Sequence, residues 1–211
     1  MDDLSYLFGA YLGDGCAYIG KSSYQFSITS EDKDLCEICN NICLSLFSKS
    51  GRIKKVNNYY QLIICSKKIV EFLVNSTKNK TTIPEDVYDS KENMISFIQG
   101  IMDTDGWICR VNPSDGYVRY RTGFKNIALW SKNIYDILEL LDVKVGKLRK
   151  IKNKRYNQPT KDTFNITINT KDYCSKIGFR LKRKQEIVEE ALLFYKNGGN
   201  RNAKKNTQLQ I

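Results

Sequence analysis

The chain has 211 residues, 41% hydrophobic and 27% charged, enough to build one large folded unit or two small ones. Thirty-four Lys and Arg against 23 Asp and Glu leave a net charge of +11, which favours polyanionic partners, nucleic acid ahead of an anionic membrane surface. No apolar run approaches the roughly 20 residues that span a bilayer, and no hydrophobic leader follows Met1, so a soluble intracellular protein without a membrane partner is expected.

Residues 4–15 read as a helix with Gly9 and Gly13 on one face, Asp14 in the last turn and Gly15 as a left-handed residue past its end. Each interior glycine costs ~1 kcal/mol relative to alanine. The macrodipole disfavours an anion in the last turn by ~0.3–1 kcal/mol. From Tyr18 to Ser30 the pattern changes to a period of two. Phe26 and Ile28 fall on one side and Gln25, Ser27 and Thr29 on the other, as in a half-buried strand. Ser30 is placed as the N-cap of a helix over Leu35 to Phe47. Cys36, Cys39 and Cys43 share a face of that helix. A zinc site would need further ligands and the chain has no histidine, so they read as core. Seven cysteines, an odd number, suit reduced thiols, and the missing histidine excludes Ser-His and Cys-His nucleophiles. Gly51 opens a second hairpin, Arg52 to Ser66, and the polar stretch from Asn75 to Thr82 with Pro84 ends the first half.

The second half repeats the first. Residues 7–15 (LFGAYLGDG) and 98–106 (IQGIMDTDG) both fit aliphatic-x-Gly-x-x-x-x-Asp-Gly, 91 residues apart. From average usage, the Gly-x-x-x-x-Asp-Gly part alone should start by chance roughly once in several thousand positions. Alternating segments follow over Trp107 to Asn112 and Tyr117 to Ser131. Ser131 is placed as the N-cap of a helix over Ile134 to Leu141, and Gly146 opens Gly146 to Thr170. Between Lys144 and Lys161 stand eight Lys or Arg and no acid. Each half predicts helix, hairpin, helix, hairpin, helix, an α+β fold with antiparallel sheets, over residues 1–82 and 83–196; 197–211 reads as a basic polar tail. Small residues let the two glycine-bearing helices approach closely, which would bring Asp14 and Asp105 side by side. Paired carboxylates on a basic protein suit Mg²⁺, which takes one or two carboxylates plus substrate phosphates and can activate water at a phosphodiester.

Both segments resemble the LAGLIDADG motif of homing endonucleases, in the form with two motifs per chain, and the resemblance extends over nearly the whole sequence. It implies two pseudo-symmetric αββαββα repeats whose sheets form a DNA-binding saddle, with the motif helices packed at the repeat interface of a monomer. The implied activity is site-specific double-strand cleavage of a long asymmetric DNA target, as in intron homing. Asp14 and Asp105 would bind the catalytic metal, with Gly13 and Thr104 beside them; Mg²⁺ or Mn²⁺ would support cleavage and Ca²⁺ binding alone. The family's lysine near each scissile phosphate is matched by Lys80 in KTTIP and by Lys182 in GFRLKRKQ, with Lys184 close behind. Ser30 and Ser131 resemble its polar residues near the site. The sequence departs from the motif at Phe8, Tyr11, Leu12, Gly13, Gln99 and Met102, while the small helix-face residues and both acids remain.

Base contacts are expected from polar strand positions opposite the core, since a two-stranded ribbon fits the major groove. These are Gln25, Ser27, Lys54, Gln61, Arg119, Arg121, Lys125, Arg149, Lys152 and Asn165, with strand parity in the second half open by one residue. An intron maturase acting on RNA, or a DNA-binding regulator without catalysis, would use the same scaffold; the two intact acids favour the enzyme. An intein is disfavoured, because no histidine serves the splicing steps and no flanking segments are visible.

Overall fold

The structure, a computed structural model, describes residues 2–112, 118–126, 130–147, 149–152 and 162–199. The first half runs α1 (Asp3–Leu12), β1 (Gly15–Ile19), β2 (Tyr24–Ser30), α2 (Lys33–Phe47), β3 (Arg52–Val56), β4 (Tyr59–Cys65) and α3 (Lys67–Ser76). A 3-10 turn (Glu85–Tyr88) leads to α4 (Lys91–Thr104), β5 (Gly106–Val111), β6 (Arg119–Asn126), α5 (Ser131–Leu140), β7 (Arg149–Lys152), β8 (Asp162–Ile168) and α6 (Thr170–Lys176), and α7 (Lys182–Lys196) follows. The sheets have matching orders, β1-β2-β4-β3 and β5-β6-β8-β7, and every pairing is antiparallel, so the chain is α+β as expected. No helix among the described residues is long and apolar enough to cross a membrane.

Period-two patterning sets one face of each sheet against the helices. Phe26, Ile28, Leu62 and Ile64 are buried in the first sheet, and Phe124, Ile166 and Ile168 in the second. Cys36, Cys39 and Cys43 are fully buried along α2, as core residues should be.

The centre of the molecule is the pair α1 and α4. Ser5 to Leu12 and Ser96 to Asp103 are buried without interruption, as in helices covered on every side. A Cβ on Gly9 would strike the Phe97 carbonyl and lie 2.9 Å from Ile101 N; one on Gly100 would strike the Tyr6 carbonyl and lie 2.8 Å from Ala10 N. The two contacts are reciprocal, the signature of a local twofold. Asp2 caps α1 by accepting from Leu4 N and Ser5 N, and Ser90 caps α4 by accepting from Asn93 N.

Gly15 and Gly106 correct the sequence reading. Neither is left-handed; each is the first residue of a strand, paired with Ile28 and Phe124 respectively. α1 stops at Leu12 with Gly13 as its C-cap, so the strand must leave against the helix's own last turn. A Cβ on Gly15 would lie 2.5 Å from Tyr11 Cα, and one on Gly106 2.6 Å from Met102 Cα. Close approach, not backbone handedness, demands glycine here. The two serine caps are also corrected. Ser30 is still in β2, its Oγ accepting from Asp32 N, and Asp32 is the N-cap of α2; Trp130 is the N-cap of α5, with Ser131 one residue inside.

A polar cluster ties the halves together beneath the helix pair. Tyr6 Oη donates to Asp103 Oδ2 at 2.8 Å, and the same oxygen accepts from Arg180 N and Leu181 N. The Arg180 guanidinium lies 4.3 Å from the centre of the Tyr6 ring and donates to Asp3, Gln99 and Ser96. Gln99, a departure from the motif, also donates to the Ile177 carbonyl. Burial raises the Asp103 carboxyl to about 6.

Candidate functional site

Asp14 and Asp105 stand just past Gly13 and Thr104, at the adjoining C-terminal ends of α1 and α4. The space a Gly13 Cβ would take is occupied by Thr104 Oγ1, with Asp105 Oδ2 3.3 Å away. Both carboxyls feel the crowding. Burial raises Asp14, with Lys80 and Lys184 opposing the rise. Burial and then the charge of Asp14 lift Asp105 from 3.8 to about 6, against the opposing pull of an Asn126 hydrogen bond and both lysines. A carboxylate pair held in this state gains from a cation beside it.

A lysine frames each acid, Lys80 half-buried and Lys184 buried. Lys80 Nζ donates to the Gly13 and Gly15 carbonyls, both at 2.9 Å, and sits over the Tyr11 ring. Lys184 Nζ donates to the Met102, Asp103 and Gly106 carbonyls at 2.7, 2.9 and 2.8 Å. The lysines satisfy carbonyls that the ends of α1 and α4 leave without partners, and their charge complements the negative helix ends. Burial lowers the pKa of both, and the nearby acids partly restore it. Lys80 is placed by three successive left-handed residues, Lys78, Asn79 and Lys80. Lys184 lies in the first turn of α7. Lys182, the lysine chosen from the sequence, is exposed at the start of that helix, its backbone N–H donating to Asp34. The residue two positions on takes the place because its side chain faces α4.

Asn126 is the polar residue that the sequence reading missed. Register puts it at the position of Ser30, since Gly15 pairs with Ile28 and Gly106 with Phe124, each two residues earlier. Its Nδ2 donates to Asp105 Oδ2 in a short hydrogen bond. Ser131, chosen from the sequence, is already in α5. The missed signal was the parallel position in the strand, hidden by the longer hairpin of the second half.

The strand candidates whose side chains are described fall on one face of each sheet. In the first, Gln25, Ser27, Lys54 and Gln61 stand opposite the core, although Ser27 is only 8% exposed. In the second, Arg119, Arg121, Lys125, Arg149 and Asn165 share the corresponding face, which settles the parity. The arginines and Lys125 are exposed, and Asn165 Oδ1 is shielded and has no hydrogen-bond partner. The side chain of Lys152 and most of the basic run after it lie outside the described residues.

Among the described residues no group of three or more His, Cys, Asp or Glu is arranged to hold a metal ion. Two carboxylates alone fit the mode of a hard cation that completes its shell with water, carbonyls and substrate phosphate. The Gly13 carbonyl already accepts from Lys80, and the Thr104 hydroxyl is turned back to the Gly100 and Ile101 carbonyls. The two aspartates are therefore the chain's principal donors to such an ion.

Comparison with known proteins places this geometry. Residues 2–76 match the family model described as a LAGLIDADG-like domain. A glutamine–fructose-6-phosphate aminotransferase of Methanocaldococcus jannaschii is 28% identical over 204 residues, 90% of this chain, but the chain spans only 17% of that protein's length. The crystal structure of I-DmoI in complex with DNA and Ca superposes with a TM-score of 0.60 at 17% identity, covering 89% of this chain and 97% of that one; I-DmoI is also solved in complex with DNA and Mn, and a variant of it with its target DNA in the presence of Mg. The LAGLIDADG meganuclease I-AabMI bound to uncleaved DNA gives 0.59 at 11% identity, covering 100% of this chain and 97% of its own. At these identities the structural likeness is one of fold. Residues 2–76 thus match a LAGLIDADG-like domain, and over its length the chain has the fold of these structures, with the Gly-x-x-x-x-Asp-Gly pattern carried twice.

Proposed function

We propose that this protein is a site-specific endonuclease that cuts both strands of a long DNA target with a divalent metal ion. The observation that carries the reading is the pairing of Asp14 and Asp105 at adjoining helix ends, each framed by a lysine whose ammonium is bound to backbone carbonyls there. A DNA-binding regulator has no use for two carboxylates pushed upward by burial, and in Asp105 by the charge of Asp14 as well. Residues 1–82 and 83–196 serve as the two repeats, and the chain works as a monomer, because each repeat supplies one acid and one lysine to a single site.

Asp14 and Asp105 would hold the metal, Mg²⁺ or Mn²⁺ for cleavage, with Gly13 and Thr104 offering backbone carbonyls. A divalent ion there supplies a nucleophilic water and neutralises charge on the phosphodiester. Lys80 and Lys184 hold the helix ends in place and set positive charge beside the reacting phosphates, where it favours the more negative transition state. Asn126 keeps Asp105 ionised and oriented. Affinity comes from the exposed Lys and Arg, and sequence readout from Gln25, Lys54, Gln61, Arg119, Arg121, Lys125, Arg149 and Asn165. Such a substrate implies an intracellular setting.

The test is a cleavage selection. The full chain is incubated with a randomised duplex library in Mg²⁺, and the cut ends are sequenced. The expected result is one long asymmetric site cut on both strands, with no product when Ca²⁺ replaces Mg²⁺. Cleavage without sequence preference, or none in any divalent metal, would overturn the reading.

A further inference from the structure

The halves of the site differ most at the residue after each motif, where Cys16 follows Gly15 and Trp107 follows Gly106. Trp107 pairs across the sheet with Gly123. A Cβ on Gly123 would strike the indole at Cζ2 and lie 2.8 Å from Cε2, so the ring lies flat over the glycine. That is the face of Arg121 and Lys125; the opposite face, with Thr122 and Phe124, is core. The half-buried ring lines a cleft of about 440 Å³ together with Asp14, Ser30, Tyr59 and Lys184. Tyr59, 46% exposed, comes from the first sheet. Its register counterpart in the second sheet is Thr163, and that of Trp107 is Cys16. Neither aromatic residue therefore has an aromatic counterpart at the matching register position of the other half.

Resting on the reading above, we propose that Trp107, with Tyr59, contacts the bases of the bound duplex at these unmatched positions, fixing the orientation in which DNA is held and the strand that is cut first. Tryptophan and tyrosine present large rigid faces with a polar edge. Aromatic rings stack on any base, and apolar side chains entering between base steps unstack and kink the duplex. Glycine at 123 keeps the indole low enough to leave the cleft open beside Asp14. A ring that served only to cover Gly123 would not need the cleft.

The chain has two tryptophans, and Trp130 is 2% exposed, so the W130F variant isolates Trp107 emission. This variant is titrated in Ca²⁺ with a pool of random duplexes of about 30 base pairs and with the duplex recovered by cleavage selection, while gel mobility follows binding. Stacking predicts strong quenching by the recovered duplex and weakening of its binding by W107L of roughly 5- to 150-fold. On that duplex, labelled separately on each strand, W107L should also shift the ratio of the two nicking rates at least about fivefold, with W107F intermediate. Unchanged emission on a duplex that binds and is cut would overturn the inference and leave the endonuclease reading standing. If neither duplex binds, both fall. The emission test does not depend on W107L folding.

Discussion

Lys80 and Lys184 both end on carbonyls at a motif helix end, Gly15 and its counterpart Gly106 among them, but reach them by different routes, one from a left-handed loop after α3, the other from the first turn of α7. Around them the halves diverge. Asp105 is gripped by Asn126 and pushed to about 6, whereas Asp14 has Ser30 at that register position and its hydroxyl is turned to Asp32 N. Asp103 sits in a buried cluster where the first motif has Leu12. The duplicated skeleton fixes where two acids and two cations stand. The unduplicated contacts make the two carboxylates unequal, which suits an asymmetric substrate cut one strand at a time.

The largest expected effect breaks the acids themselves. Asp14→Asn and Asp105→Asn should each abolish double-strand cleavage while duplex affinity by gel shift stays within a few-fold; full linearisation of a target plasmid by either variant in Mg²⁺ would remove the basis of the site. Next comes the shared axis. Gly9→Leu and Gly100→Leu force a side chain into backbone atoms of the other helix, at a cost of ~1–3 kcal/mol or more, read as a lowered urea midpoint; equal midpoints would mean that the helices do not meet as described. The lysines follow. Lys184→Met leaves three carbonyls without their donor and should slow cleavage on the order of 10²-fold, while Lys182→Met should leave the rate within about twofold, because that side chain is exposed. Equal losses at 182 and 184 would return the assignment to Lys182.

The smallest effect sharpens the inequality of the acids. Asp105 and Asp103 take protons at about 6 in the folded chain against an ordinary 3.8. Between those values the folded state holds more protons than the unfolded one, so metal-free stability falls as pH rises from about 4 to about 6 and these groups add no further change above it. In a chelator at pH 7, Asp105→Asn should be more stable than the wild type by on the order of 1–3 kcal/mol. Divalent-ion affinity should fall as pH drops below about 6, because the ligand must be ionised. A metal-free midpoint that climbs between pH 4 and 6 would contradict the raised carboxyls.

The repeat, the strand faces, the helix-helix glycines and both acids were legible because each rests on local periodicity or on a pattern written twice. What was misread depends on register. Gly15 and Gly106 are glycines because a strand leaves against its own helix, a contact that no local pattern encodes. Lys184 rather than Lys182 is chosen by the facing of α7 on α4. Asn126 was hidden because the second repeat reaches it 21 residues after its acid, against 16 for Ser30, so counting along the chain fails where counting along the sheet succeeds. The Asp103–Tyr6–Arg180 cluster joins residues far apart in sequence, and only the motif's departure at Gln99 hinted at it.

The central claim is that Asp14 and Asp105 together hold a divalent ion over DNA. Paramagnetic resonance of Mn²⁺ bound to the complex of the full chain with its selected duplex, at pH 7.5 or thereabouts, tests it most directly. Tight Mn²⁺ should be lost in the Asp14→Asn, Asp105→Asn double variant while the protein–DNA complex persists. Mn²⁺ bound as tightly in that variant as in the wild type would contradict the account.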